Sequence, residues 1–352
     1  MLNSDPEIKV IDTAKDGSEA FKKIPKIKPD CITLDLVMPG WDGLTTLKHI
    51  MDEYPTPVVM LSAHSKKDAD ITIKCLNAGA VGFVLKPSGE LSLDIERIKD
   101  RLLKEVKAAS KVNVPRLKSL ITKKPRKPRR KLIAVNKIIV IGASTGGLKT
   151  LEVILSFLPA NFSPSVIVAQ HMPTRFFTQS LAKHLNEISQ LEVKVAENNE
   201  IIQAGKVYLA PGGFQMTLKP RDMRYELRTP NYELRTPNSE LRTPNSELRT
   251  TNVVICLNEA EPDSLTPSID ITMESAAKIY EENAIGVILS GMGYDGREGM
   301  RAIKKSGGKT ITQDESSLIF GMPKAVIEAG YADKVLPMSG IARAIIEISD
   351  KE

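Results

Sequence analysis

The chain has 352 residues, 41% of them hydrophobic, enough for two domains with ordinary cores. No apolar run approaches the roughly 20 residues of a membrane helix, and no signal peptide opens the sequence, so a cytoplasmic protein without membrane insertion is expected. The net charge of +6 is concentrated in Lys123–Lys131, which holds seven Lys and Arg and no acid; without it the chain is close to neutral. The domains are therefore not nucleic-acid binders by composition; the run itself could touch an acidic surface, RNA or anionic lipid, but its two prolines read as a solvated linker. Cys31, Cys75 and Cys256 lack metal-ligand spacing and read as small buried residues in a reducing compartment.

The first ~110 residues alternate strand and helix. Strands are predicted at 8–13, 31–35, 57–62 and 81–86, and helices at 17–24, 43–51, 68–77 and 91–109. Such alternation implies a parallel, doubly wound sheet. Asp35, Ser62 and Lys86 each end a strand, so a carboxylate, a hydroxyl and a cation gather at one sheet edge.

Further along, Lys137–Gly147 runs from β-branched apolar residues into a turn with glycine at 142, 146 and 147, and a helical stretch follows. Gly142-Ala-Ser-Thr-Gly146 fits G-x-S-x-G, in which glycines relieve crowding around an exposed serine. The same glycines would also suit a phosphate cradle, the basis of a rival reading as a nucleotide- or phosphate-binding module. Two later strands favour the nucleophile: Val166–Gln170 leads into His171, and Gly286–Ser290 into a glycine-rich turn with Asp295. In a parallel sheet these ends share one crevice, with Ser144 as nucleophile, His171 as its base and Asp295 as the carboxylate that orients the imidazole. Against the rival, no acidic residue follows the turn at ribose-binding distance, and the P-loop string is absent.

Between predicted strands at 214–218 and 253–257 the heptad Tyr225-Glu-Leu-Arg-Thr-Pro-Asn231 recurs three more times, with Ser for Tyr in two copies and Thr for Pro in one. Proline in three copies and a single strong apolar position exclude a coiled coil, so 225–252 reads as an inserted low-complexity loop.

Ile141–Gly147, Gln170–Pro173, Ala210–Gly213, Pro267–Asp270, Leu289–Gly296 and Gln313–Pro323 resemble the motifs of the chemotaxis protein-glutamate methylesterases. Leu34–Gly43 and Val84–Pro87 resemble response-regulator receivers. The resemblance implies an N-terminal flavodoxin-like receiver over 1–108, a basic linker over 109–135 and a doubly wound parallel-sheet serine-hydrolase domain over 136–352. It implies hydrolysis of glutamate γ-methyl esters and deamidation of glutamines on chemoreceptors. It assigns the triad to Ser144, His171 and Asp295, oxyanion support to the Met292 backbone and Thr145, and phosphate from a histidine kinase to Asp35, with Ser62 and Lys86 as switch residues. No cofactor is implied for catalysis. Receivers use Mg²⁺ for phosphorylation, held partly by an acidic pair after their first strand. Met1–Ile8 reads instead like the end of the first helix, so the receiver is expected to lack its first strand and most of that helix, with an incomplete Mg²⁺ site.

Overall fold

The computed structural model describes residues 1–87, 92–112, 114, 137–221, 253–261 and 264–350. Most of the linker and the heptad repeats at 225–252 lie outside them.

In the N-terminal part α1 (Gly17–Ile27), β1 (Ile32–Asp35), α2 (Gly43–Glu53), β2 (Val58–Ser62), α3 (Lys66–Asn77), β3 (Gly82–Leu85) and α4 (Ser92–Ala109) follow in sequence. The three strands pair in parallel in the order β1-β2-β3. Helix starts are set by local chemistry: Asp16, Asp42 and Ser65 each accept an N–H from the first turn of the helix that follows.

The strand expected at 8–13 is not formed. Among the described residues β1 pairs only with β2, so 8–13 has no ladder to join, and a strand without a partner leaves its backbone groups to water. These residues are half-exposed to exposed, with Ile11 at 52%. The cysteines also depart from expectation: Cys75 is buried, whereas Cys31 and Cys256 are half-buried.

The second part is built on β4 (Ile138–Ala143), α5 (Gly147–Phe157), β5 (Ser165–Gln170), α6 (Arg175–Ile188), β6 (Glu192–Val195) and β7 (Lys206–Leu209). It continues through β8 (Phe214–Pro220), β9 (Val253–Glu259), α7 (Ile269–Tyr280), β10 (Ala284–Ile288), α8 (Arg297–Lys305), β11 (Lys309–Gln313), α9 (Met322–Glu328), β12 (Lys334–Leu336) and α10 (Met338–Ser349). Seven strands form one sheet in the order β12-β11-β10-β4-β5-β7-β6, with parallel pairing throughout. All six residues of β4 and of β5 are buried, as expected of strands covered on both faces. Each fully buried Ile or Val there contributes roughly 1.5–3 kcal/mol.

Strand order reverses at β4, with β5 on one side and β10 on the other. A crevice forms at the carboxyl ends of strands at such a switch point. β8 and β9 pair antiparallel from Phe214↔Glu259 to Pro220↔Val253.

Candidate active site

The Ser144 turn leaves β4 at the switch point. Gly146 has φ +77°, where a side chain is strained, and a Cβ there would come within 2.8 Å of Leu318 and Ser290 Oγ. The turn is tied down by Ser144 N–H donating to Ser290 O at 3.0 Å and Gly147 N–H to Ser144 O at 2.9 Å. Gln170, at the end of β5, donates from Nε2 to Ser144 O at 3.1 Å and to His171 O at 3.3 Å, linking the serine turn to the histidine turn.

The structure brings Ser144, His171 and Asp295 into one line. His171 Nδ1 lies 3.0 Å from Ser144 Oγ, and His171 Nε2 lies 2.8 Å from Asp295 Oδ2. The serine hydroxyl thus faces an imidazole rather than standing free to cradle phosphate. Asp295 also accepts N–H bonds from Ile269 at 2.8 Å, Asp270 at 3.0 Å and Gly296 at 3.1 Å, and Ser268 Oγ lies 3.3 Å from its Oδ1. Burial works to raise the Asp295 pKa, but the hydrogen bond and charge of His171 and the N–H groups of Ile269 and Asp270 outweigh it. The carboxyl is therefore held below the usual carboxylate value and stays ionised beside the imidazole.

Met292 follows Gly291, where a Cβ would lie 2.8 Å from the Ser144 Cβ, so its backbone passes close to the nucleophile. Thr145 follows Ser144 in the same turn. Its hydroxyl bonds Glu105 on α4, at 3.0 Å to Oε1 and 3.2 Å to Oε2. Glu105 is 5% exposed, and burial pushes its carboxyl above the ordinary value. Sequence reasoning missed Glu105, because nothing in α4 marks it until the two parts are packed together. Asp270 was visible only as the last residue of Pro267–Asp270, with no role attached.

Ser144 and His171 line a cavity of about 1050 Å³ between the two parts of the chain. Its walls include Gly79, Phe83, Arg101 and Glu105 on one side and Ser144, Gly146, His171 and Met292 on the other. Phe83 stacks on Phe177 with ring centroids 4.8 Å apart, and Asp70 accepts from Ser180 at 2.5 Å.

At the other candidate site Lys86 Nζ bonds Asp35 Oδ2, while Val37 N–H donates to Asp35 Oδ1 at 3.2 Å. Ser62 does not join them through its side chain. Its hydroxyl is fully buried and accepts from Thr72 Oγ1 at 2.9 Å, because α3 packs over the end of β2. The donor set does not fit Mg²⁺: both Asp35 oxygens are engaged, and the described residues hold no cluster of three His, Cys, Asp or Glu. No helix among the described residues is long and apolar enough to cross a membrane.

Residues 139–345 match the family model for CheB methylesterase, and residues 1–97 match that for the response regulator receiver domain. A protein-glutamate methylesterase/protein-glutamine glutaminase of Archaeoglobus fulgidus is 43% identical over 96% of this chain and 90% of its own length. One from Symbiobacterium thermophilum is 38% identical over 98% of this chain and 91% of its own. The crystal structure of the Thermotoga maritima CheB methylesterase catalytic domain covers 60% of this chain and 98% of its own, at 40% identity and a TM-score of 0.51. With a receiver match ahead of a catalytic match that spans more than half of its length, the chain belongs to the CheB methylesterase family.

Proposed function

We propose that this chain hydrolyses glutamate γ-methyl esters, and deamidates certain glutamines, on chemoreceptors, with Ser144 as nucleophile. The observation that carries the reading is the continuous hydrogen-bonded line from Ser144 Oγ through His171 to Asp295. Ser144 Oγ attacks the ester carbonyl carbon while His171 Nδ1 takes its proton. Asp295 holds the opposite ring nitrogen as donor and stabilises the imidazolium. Negative charge on the carbonyl oxygen develops beside the backbone of Met292, whose N–H is the proposed oxyanion donor. Collapse expels methanol, or ammonia from a glutamine, with the proton returned by His171. Water activated by the same imidazole then attacks the glutamyl-enzyme ester and restores Ser144. No step calls for a cofactor.

The N-terminal part is proposed as a receiver that controls this reaction, with Asp35 accepting phosphate from a histidine kinase. Its support is position: α4 and β3 wall the cavity that Ser144 and His171 line. The proposed division is a receiver over 1–108, a linker over 109–135 and a catalytic domain over 136–352, acting in the cytoplasm.

Methanol release from a methylated receptor should fall by several orders of magnitude in Ser144→Ala, because triad members act as a unit. Turnover close to wild type in that variant would sink the assignment.

A further inference from the structure

Beneath the triad, two helix starts exchange carboxylates. Asp295 stands just before α8 and accepts the N–H groups of Ile269 and Asp270, the first two residues of α7. Asp270, in the first turn of α7, accepts the N–H of Gly299 in the first turn of α8 at 2.7 Å. Each acid thus caps the helix that carries the other. The positive ends of two helices make a shared carboxylate site tolerable there. The approach is close: a Cβ on Gly299 would sit 2.6 Å from the Met273 Cβ and 3.2 Å from the Asp270 Cα.

We propose that Asp270 is a positioning residue for this esterase, whose carboxylate holds the start of α8 and so fixes Asp295 against His171. The proposal rests on the Ser144–His171–Asp295 reading and adds a fourth member that touches no reacting atom. Two features beyond the capping support it. First, Asp270 contributes both a backbone donor to Asp295 and an acceptor to Gly299, so its displacement moves the N–H groups that aim the Asp295 oxygens at His171. Second, burial raises the Asp270 carboxyl, the Gly299 N–H opposes that, and the Asp295 charge raises it again, to about 6. The two acids therefore titrate as a pair.

The charged groups around Asp270 are few. Asp295 and, beyond it, His171 lie on the triad side. On α8, Glu298 is neutralised by Arg297 and Arg301 at 3.1 and 2.8 Å. Glu274 lies one turn along α7. Above about pH 6 Asp270 is ionised and adds a second negative charge behind Asp295.

The test is Asp270→Asn in the full chain, which keeps an oxygen for Gly299 and removes the charge. Hydrolysis of glutamate γ-methyl ester is measured through a pH titration, with kcat and KM separated. The expected result is an acid limb of kcat displaced to lower pH with an unchanged KM. An acid limb that superimposes on that of the unaltered chain would overturn the proposal and leave Asp270 a helix cap only. Asp270→Ser, with a small neutral hydroxyl, repeats the measurement if the Asn variant does not fold. Failure of both to fold would also overturn it, since the role would then be structural. Ser144→Ala separates the underlying reading: activity retained there removes the triad, whereas activity lost there with an unmoved acid limb in Asp270→Asn removes the role of Asp270 alone.

Discussion

Thr145, the residue after the proposed nucleophile, donates its hydroxyl at 3.0 Å to Glu105, a buried acid on the last helix of the receiver part. One hydrogen bond thus joins the N-terminal half of the chain to the turn that presents Ser144. Glu105 is a costly choice for that place, because its burial disfavours the charge. A carboxyl whose folded pKa lies above its unfolded value stabilises the fold when protonated, and that stability declines as pH rises from the unfolded value toward the folded one.

Glu105→Gln keeps an oxygen for Thr145 and removes the ionisable group. At pH 7.5 its melting temperature should rise by about 2–4 °C per kcal/mol gained, and the difference from the unaltered chain should shrink as pH is lowered toward 4.5. Calorimetry at several pH values checks this. A lower melting temperature at neutral pH would mean that the charge is compensated by a partner.

The stacked pair Phe83 and Phe177 fastens the same interface, and Phe177 is fully buried. Phe83→Ala should cost about 3–5 kcal/mol of stability in the coupled molecule. It should also separate one melting transition into two, as the halves lose their contact. A single transition at an unchanged temperature would show that the pair holds nothing together.

Gly146→Ala places a methyl group at positive φ and against Leu318 and Ser290 Oγ. A loss of about 1–3 kcal/mol is expected, with a fall in methanol release of more than about tenfold as Ser144 shifts from His171. Activity equal to the unaltered chain would show that the turn relaxes without moving the nucleophile.

Phosphorylation offers a fourth test. Asp35 is bonded through one oxygen to Lys86 and through the other to Val37 N–H, a set that does not suit octahedral Mg²⁺. A small phosphodonor with Mg²⁺ should label Asp35 poorly, and esterase activity should not respond to it. Efficient Mg²⁺-dependent labelling would require another carboxylate to complete the site.

Much of the fold was legible because its signals are local. Continuous β-branched runs such as Ile138–Ile141 and Val166–Val168 become buried parallel strands, and Asp16, Asp42 and Ser65 mark helix starts by capping chemistry that needs no distant partner. The hydrogen-bonded line of Ser144, His171 and Asp295 was legible for a related reason. A parallel sheet delivers its strand ends to one edge, so Ser144, His171 and Asp295 could be brought together before any distance was known. The segment 8–13 carries the same apolar signal yet forms no strand, because pairing depends on a neighbour and not on the residues themselves. Ser62 likewise ends the right strand, but the packing of α3 turns its hydroxyl to Thr72. The contact of Glu105 with Thr145 crosses between the two halves, and the exchange between Asp270 and Asp295 joins the starts of α7 and α8. Periodicity and turn chemistry determine which elements exist and which ends they offer. Which acid lies against which hydroxyl or carboxylate depends on how those elements dock, and only the tertiary structure decided that.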